Sequence, residues 1–213
     1  MTELHAWYGD LQVARTAAAL RKNNFDVRIV PGKKEALREV IGLIPENSKV
    51  GVGGSMTLTE IGFFEEAEKH SFTLLNPSPQ KMSMEEFIQT RRKILLADVF
   101  LSSSNAVTEE GELFNIDATG NRTGAMAFGP KQVILVCGFN KITRNLDGAR
   151  KRVREWVAPM NAKRLGLKTP CAETGMCGDC SSPQRICNIF TVLAKKPSRT
   201  AVTVILVGEH LGL

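Results

Sequence analysis

The chain has 213 residues, 43% of them hydrophobic and 6% aromatic, and its 28 Lys and Arg against 22 Asp and Glu leave a formal net charge of +6. That length buries one substantial core with little room for two full domains, so a single domain over 1–213 is expected. An apolar run of about 18 residues and a basic, apolar leader are both missing, which predicts a soluble, cytoplasmic protein with no membrane span, and the scarcity of aromatics interleaved with basic residues argues against nucleic-acid binding.

In chain order, 2–22 has helix-spaced apolar positions at Leu11, Ala14, Ala18 and Leu20 and stops at Asn23-Asn24. Phe25 to Val30 reads as a strand, and Pro31-Gly32 turns the chain into an amphipathic helix that ends before Pro45. Lys49 to Val52 is a buried strand, Gly53-Gly54-Ser55 a tight turn, and Thr57 onward a helix through TEIGFFEEAEKH. Phe72 to Leu75 suits a short strand, and Pro77 and Pro79 mark a loop. The helix SMEEFIQTRRKILLAD follows, with Ser83 and Glu86 at capping-box spacing. Val99 to Ser102 and Gln132 to Gly138 are interior strands, 145–157 is a helix with Val153 and Trp156 packed inward, and Ala201 to Gly208 is the last strand. This alternation predicts a Rossmann-like three-layer α/β domain with a mostly parallel sheet. Residues 161–200 break the rhythm and read as an irregular, cysteine-rich insertion before the final strand.

Two stretches look like ligand sites. The turn G-V-G-G-S-M-T joins a strand to a helix, so Gly53, Gly54, Ser55 and Thr57 offer close backbone approach and hydroxyls for a phosphate or carboxylate. It lacks the lysine of a Walker loop and does not match G-x-G-x-x-G. The second stretch, 102–122, begins where a strand ends and places Asn105, Thr108, Glu109, Asn115, Asp117, Asn121 and Arg122 along two limbs joined by Glu110-Gly111. Strands are depleted in Asn and Asp, so a polar site on a hairpin is expected. Lys141, just past a strand end, is a candidate anion contact.

Four of the five cysteines, Cys171, Cys177, Cys180 and Cys187, form C-x5-C-x2-C-x6-C. Thiolates suit an iron-sulfur cluster or Zn²⁺, and Gly178 would permit the turn between Cys177 and Cys180. A redox dithiol at Cys177 and Cys180, or free thiols, are the other readings. Arg185, Lys163 and Arg164 would lower thiolate pKa values and balance a cluster's charge. Cys137 sits in an apolar strand and reads as a small buried hydrophobe. His5, His70 and His210 are isolated and read as surface or packing residues.

The pairing of G-V-G-G-S-M-T-L-T-E-I-G with S-N-A-V-T-E-E-G-E-L-F-N-I-D-A-T-G-N-R resembles the LUD domain family, named for bacterial lactate-utilisation proteins. The resemblance implies the fold of the ribose-5-phosphate isomerase, glucosamine-6-phosphate deaminase and coenzyme A transferase superfamily, with the glycine turn holding an anionic ligand. It also implies a part in oxidising L-lactate to pyruvate, in a complex with an iron-sulfur or other redox protein. The cysteine spacing departs from the C-x2-C-x2-C-x3-C-P of iron-sulfur subunits. The site expected on these grounds uses Glu109, Glu110 or Asp117 for catalysis. Gly53, Gly54, Ser55, Thr57, Asn105, Asn115, Asn121, Arg122 and Lys141 would bind a small anionic substrate or phosphorylated ligand, and the four clustered cysteines would hold a [4Fe–4S] centre. The alternatives are an isomerase, deaminase or transferase with structural Zn²⁺, and a non-enzymatic anion-binding or scaffold subunit; a homo-oligomer is compatible with each.

Overall fold

The computed structural model describes residues 3–78 and 80–213, with the backbone alone for His5 and Ala6; residue Thr2 of the expected first helix, Pro79 of the proline loop and the side chain of His5 lie outside the described residues. The first half of the chain runs α1 (Glu3–Lys22), β1 (Asp26–Val30), α2 (Lys33–Leu43), β2 (Lys49–Val52), α3 (Met56–Glu60), α4 (Phe63–Ala67), β3 (Thr73–Leu75), α5 (Met84–Ile94) and β4 (Val99–Ser102). The second half continues with β5 (Ala106–Thr108), β6 (Leu113–Asp117), α6 (Asn121–Ala127), β7 (Gln132–Gly138), β8 (Ile142–Thr143), α7 (Leu146–Arg152), α8 (Ala158–Arg164), α9 (Pro170–Thr174), β9 (Ile189–Leu193) and β10 (Ala201–Val207).

Six strands form one sheet in the order β1-β10-β7-β4-β2-β3, every neighbouring pair parallel. Its inner strands β10, β7 and β4 are buried at consecutive positions because both faces are covered. On one face Phe100, Val133, Leu135 and Cys137 pack with Val13, Ala17 and Leu20 of α1, Ile94 of α5 and Met126 of α6. On the other, Val99, Leu101, Ile134 and Val136 pack with Val40 of α2, Leu58 of α3 and Phe63 of α4. Burying each large side chain contributes roughly 1.5–3 kcal/mol, so this two-sided sheet is the stability core.

The expected helix after Thr57 breaks at Gly62, whose φ of 77° starts α4 in a new direction. The capping box of α5 forms as expected, Ser83 Oγ accepting from Glu86 N at 3.2 Å and Glu86 Oε2 accepting from Ser83 N at 2.9 Å.

A second sheet, β8-β5-β6-β9, packs through Ala106, Phe114 and Ile116 on α7 and the π-helical turn Val153–Val157 that joins it to α8. Two expectations are corrected here. The stretch 161–200 is not wholly irregular: residues 189–193 pair antiparallel with β6, because I-F-T-V-L is β-branched and aromatic. Trp156 does not pack inward but is 57% exposed, since the wide π turn rotates it off the face that buries Val153 and Val157.

Candidate functional site

Chain order places β3 on one side of β2 and β4 on the other, so the sheet has a switch point at β2, where α/β sheets bind ligands beyond the carboxyl ends of their strands. A pocket of about 550 Å³ lies there, bordered by Gly54, Ser55 and Thr57 after β2, Ser103 and Asn105 after β4, and Lys141 after β7.

Gly53 allows the turn to pack closely on the core behind the pocket, for a Cβ there would stand 2.7 Å from Phe100 Cζ and 2.9 Å from Arg122 Cγ. Ser55 caps α3, its Oγ accepting from Leu58 N. Thr57 is buried, and its Oγ1 accepts from Lys141 Nζ at 3.1 Å while Ser103 Oγ accepts from the same nitrogen at 2.9 Å. Lys141 is 4% exposed and makes no salt bridge among the described residues. Burial, reinforced by the nearby Arg152 and Arg122, lowers its pKa to about 8.

Arg122 is the knot of the hairpin. Nη1 donates to Ser103 O and Asn115 Oδ1, and Nη2 to Asn105 Oδ1 at 2.7 Å and Ile116 O at 2.8 Å. Asn105 and Asn115 therefore shape the wall through Arg122, with Asn115 Oδ1 also accepting from Asn105 N. Asp117 takes the backbone N–H groups of Thr119 and Gly120 on one oxygen and of Arg122 and Thr123 on the other. Burial pushes its carboxyl up, but these donors and the Arg122 charge outweigh it and hold the pKa below the usual range. The carboxylate that the sequence marks as catalytic thus fastens β6 to α6 while bordering the pocket. Asn121 Oδ1 accepts from Thr119 Oγ1 and from Arg91, a pocket cation with no sequence signal of its own, supplied by α5.

Glu109 and Glu110 are not brought to this pocket. Glu109 accepts from Gln12 Nε2 at 3.1 Å and Arg15 Nε at 3.2 Å and so faces α1, while Glu110 is exposed and its carbonyl accepts from Asn23 Nδ2. His70 stacks on Phe72 and His210 meets Phe139 edge-on, both packing roles.

The four clustered cysteines line one small cavity of about 20 Å³, the room of roughly one water. Among the described residues no group of three or more His, Cys, Asp or Glu is drawn together tightly enough to hold a metal ion. Thiols are the donor type that iron-sulfur and zinc centres use, and all four border one void. Arg185 organises the loop, donating to Cys180 O at 2.6 Å and Cys187 O at 3.3 Å and pairing with Asp179 at 2.8 Å. The left-handed residue of the turn is Asp179, φ 50°, and not Gly178, because the Arg185 pair holds the aspartate there. Burial pushes the Cys187 thiol up and outweighs Arg185, contrary to the expected lowering. Arg154, unforeseen in the sequence, reaches the cysteine loop from the π turn, its Nη2 3.9 Å from Asp179 Oδ1. Arg164 borders the large pocket instead of the cysteines.

Ile186 borders both cavities, and the adjacent Val157 and Ala158 face one each. The cysteine lobe is therefore not remote from the ligand site, as its place in the sequence suggested; one side chain separates them.

The sequence profile of the LUD domain matches residues 13–207. The chain belongs to the LUD domain family. A solved DUF162 family protein from Deinococcus radiodurans is similar to this LUD protein at 13% identity with a TM-score of 0.55, over 94% of this chain and 98% of that one, which shows a shared fold. No curated protein matches. No helix among the described residues of this LUD protein is long and apolar enough to cross a membrane.

Proposed function

We propose that this LUD protein serves the oxidation of a small hydroxy acid to its keto acid, binding the substrate at the switch-point pocket and releasing electrons through an iron-sulfur cluster held by Cys171, Cys177, Cys180 and Cys187. The observation that carries this reading is the shared wall: Ile186 borders both the polar, cationic pocket and the four-thiol cavity.

The cations suit a carboxylate. Arg91 and Arg164 border the pocket with no carboxylate partner among the described residues, and the hydroxyls of Ser55, Thr57 and Ser103 supply hydrogen bonds to the substrate's oxygens. Oxidation of a CH–OH carbon to C=O releases two electrons and two protons. The protons leave to solvent, and the electrons pass to a redox partner protein. When bound, the cluster supplies one-electron transfer. Arg154 and Arg185 balance the negative charge of thiolate ligands, and Arg185 keeps the loop that bears them folded.

The test is a visible spectrum of anaerobically purified protein before and after L-lactate, with a one-electron dye as acceptor. A broad thiolate-to-iron band that bleaches with lactate is expected. A colourless protein carrying stoichiometric zinc, or a band indifferent to lactate and to other 2-hydroxy acids, overturns the reading.

A further inference from the structure

We infer that Lys141 is a nucleophilic amine that forms a reversible imine with a carbonyl compound, a 2-oxo acid or an aldehyde, bound in the pocket beyond β2, β4 and β7. Surface lysines are strongly hydrated and charged. Lys141 is enclosed, and the nitrogen's two neighbours are hydroxyl oxygens, Thr57 Oγ1 at 3.1 Å and Ser103 Oγ at 2.9 Å. A neutral amine donates its two hydrogens to those two oxygens and keeps its lone pair, the electron pair that attacks a carbonyl carbon. Lys141 borders the pocket, and Gly212 packs close beside its amine, where a Cβ would lie 3.2 Å from Nζ and 2.4 Å from Thr57 Oγ1.

The charged groups around this nitrogen come from four elements. Arg122 on α6 and Arg152 on α7 oppose a positive charge on it, Cys137 on β7 and Glu60 on α3 favour one, and burial outweighs both. Arg152 strengthens the effect, for its Nε and Nη2 are buried with no hydrogen-bond partner among the described residues. Desolvation beside other cations is the arrangement that makes a lysine nucleophilic near neutrality. With a pKa of about 8, about one Lys141 in ten is neutral at pH 7, against roughly one in a few thousand for an ordinary lysine.

The step is balanced without a redox partner. The Nζ lone pair forms a bond to the carbonyl carbon, a proton moves from nitrogen to the former carbonyl oxygen, and loss of water leaves C=N, so amine and carbonyl give imine and water. Ser103 and Thr57 are positioned to pass these protons. The inference goes beyond the proposed oxidation, whose keto-acid product is one such carbonyl ligand, and it requires neither cluster nor turnover.

The full chain is incubated with pyruvate or glyoxylate and cyanoborohydride, and reduced adducts are mapped by peptide mass spectrometry. One adduct at Lys141 is expected, forming at least ~10-fold faster at pH 7 than at any surface lysine, with a rate that rises through pH 8. The K141R variant should lose it, and excess L-lactate should slow it in the unaltered protein, a readout that does not depend on the variant folding. Adducts confined to surface lysines, with Lys141 unmodified in native protein, overturn the inference. Either outcome holds whether or not the protein oxidises lactate, so failure of the oxidation assay and failure of this one are separate results.

Discussion

Asp117 accepts four backbone N–H groups that would otherwise lack partners where β6 turns into α6. Leaving such donors unsatisfied costs about 1–3 kcal/mol, so D117N should lower stability by that order at pH 7. The pH dependence has a definite sign. Because the folded-state pKa is held below the unfolded one, the stabilisation is present above the usual carboxylate range and is lost as the pH falls through the folded value. Urea titrations of both proteins should therefore show a gap that is full at pH 7 and narrows as the medium is acidified below about pH 4. A gap of constant size across that range would mean that Asp117 acts by shape alone. Arg122, whose guanidinium holds four acceptors, does for the two limbs of the hairpin what Asp117 does for its end.

The β5–β6 hairpin works as a clip on α1. At its tip Gly111 has a φ of 83°, and a Cβ there would lie 2.4 Å from the carbonyl carbon of Ala19. Asn23 Nδ2 donates to the carbonyls of Glu110 and Gly111, and Glu109 takes Gln12 and Arg15 from the same helix. Alanine at a positive φ costs more than about 1 kcal/mol before any clash is counted. G111A should exceed that figure in thermal or urea unfolding and should raise hydrogen exchange along α1 while leaving β10 protected; a neutral substitution would show that the clip is slack. The same element marks where the sequence is legible. Interior strands announce themselves by continuous apolar runs, and the strand ends that follow them, at Gly53, Ser103 and Lys141, locate the pocket. Partners brought by tertiary packing do not announce themselves. Arg91 reaches Asn121 across 30 residues, β9 finds β6 across more than 70, and nothing local in T-E-E-G-E says that Glu109 faces a helix and not a ligand.

At the scale of the whole molecule, the two sheets differ in how firmly they hold. The central strands β7 and β10 are buried on both faces, with Leu135, Val136, Val204 and Ile205 fully enclosed, whereas β9 is an edge strand whose Ile189, Phe190 and Val192 stand in solvent. Opening of the large sheet requires exposure of the core, while β9 and the cysteine loop separate with far less apolar area uncovered. The lobe joins the rest through β6, Arg150 over Phe190 and the α8–α9 connection, and it reaches the core of the six-stranded sheet through Leu193 at the end of β9. Replacing Cys171, Cys177, Cys180 and Cys187 together by serine should accordingly leave exchange protection in β7 and β10 unchanged and speed exchange over 171–193. Because Ile186 borders the pocket, the same variant should also bind L-lactate more weakly than the unaltered chain in calorimetry. Loss of protection throughout the large sheet would show that the cysteine loop is part of the folding core, and unchanged lactate binding would show that the wall at Ile186 does not couple the two cavities.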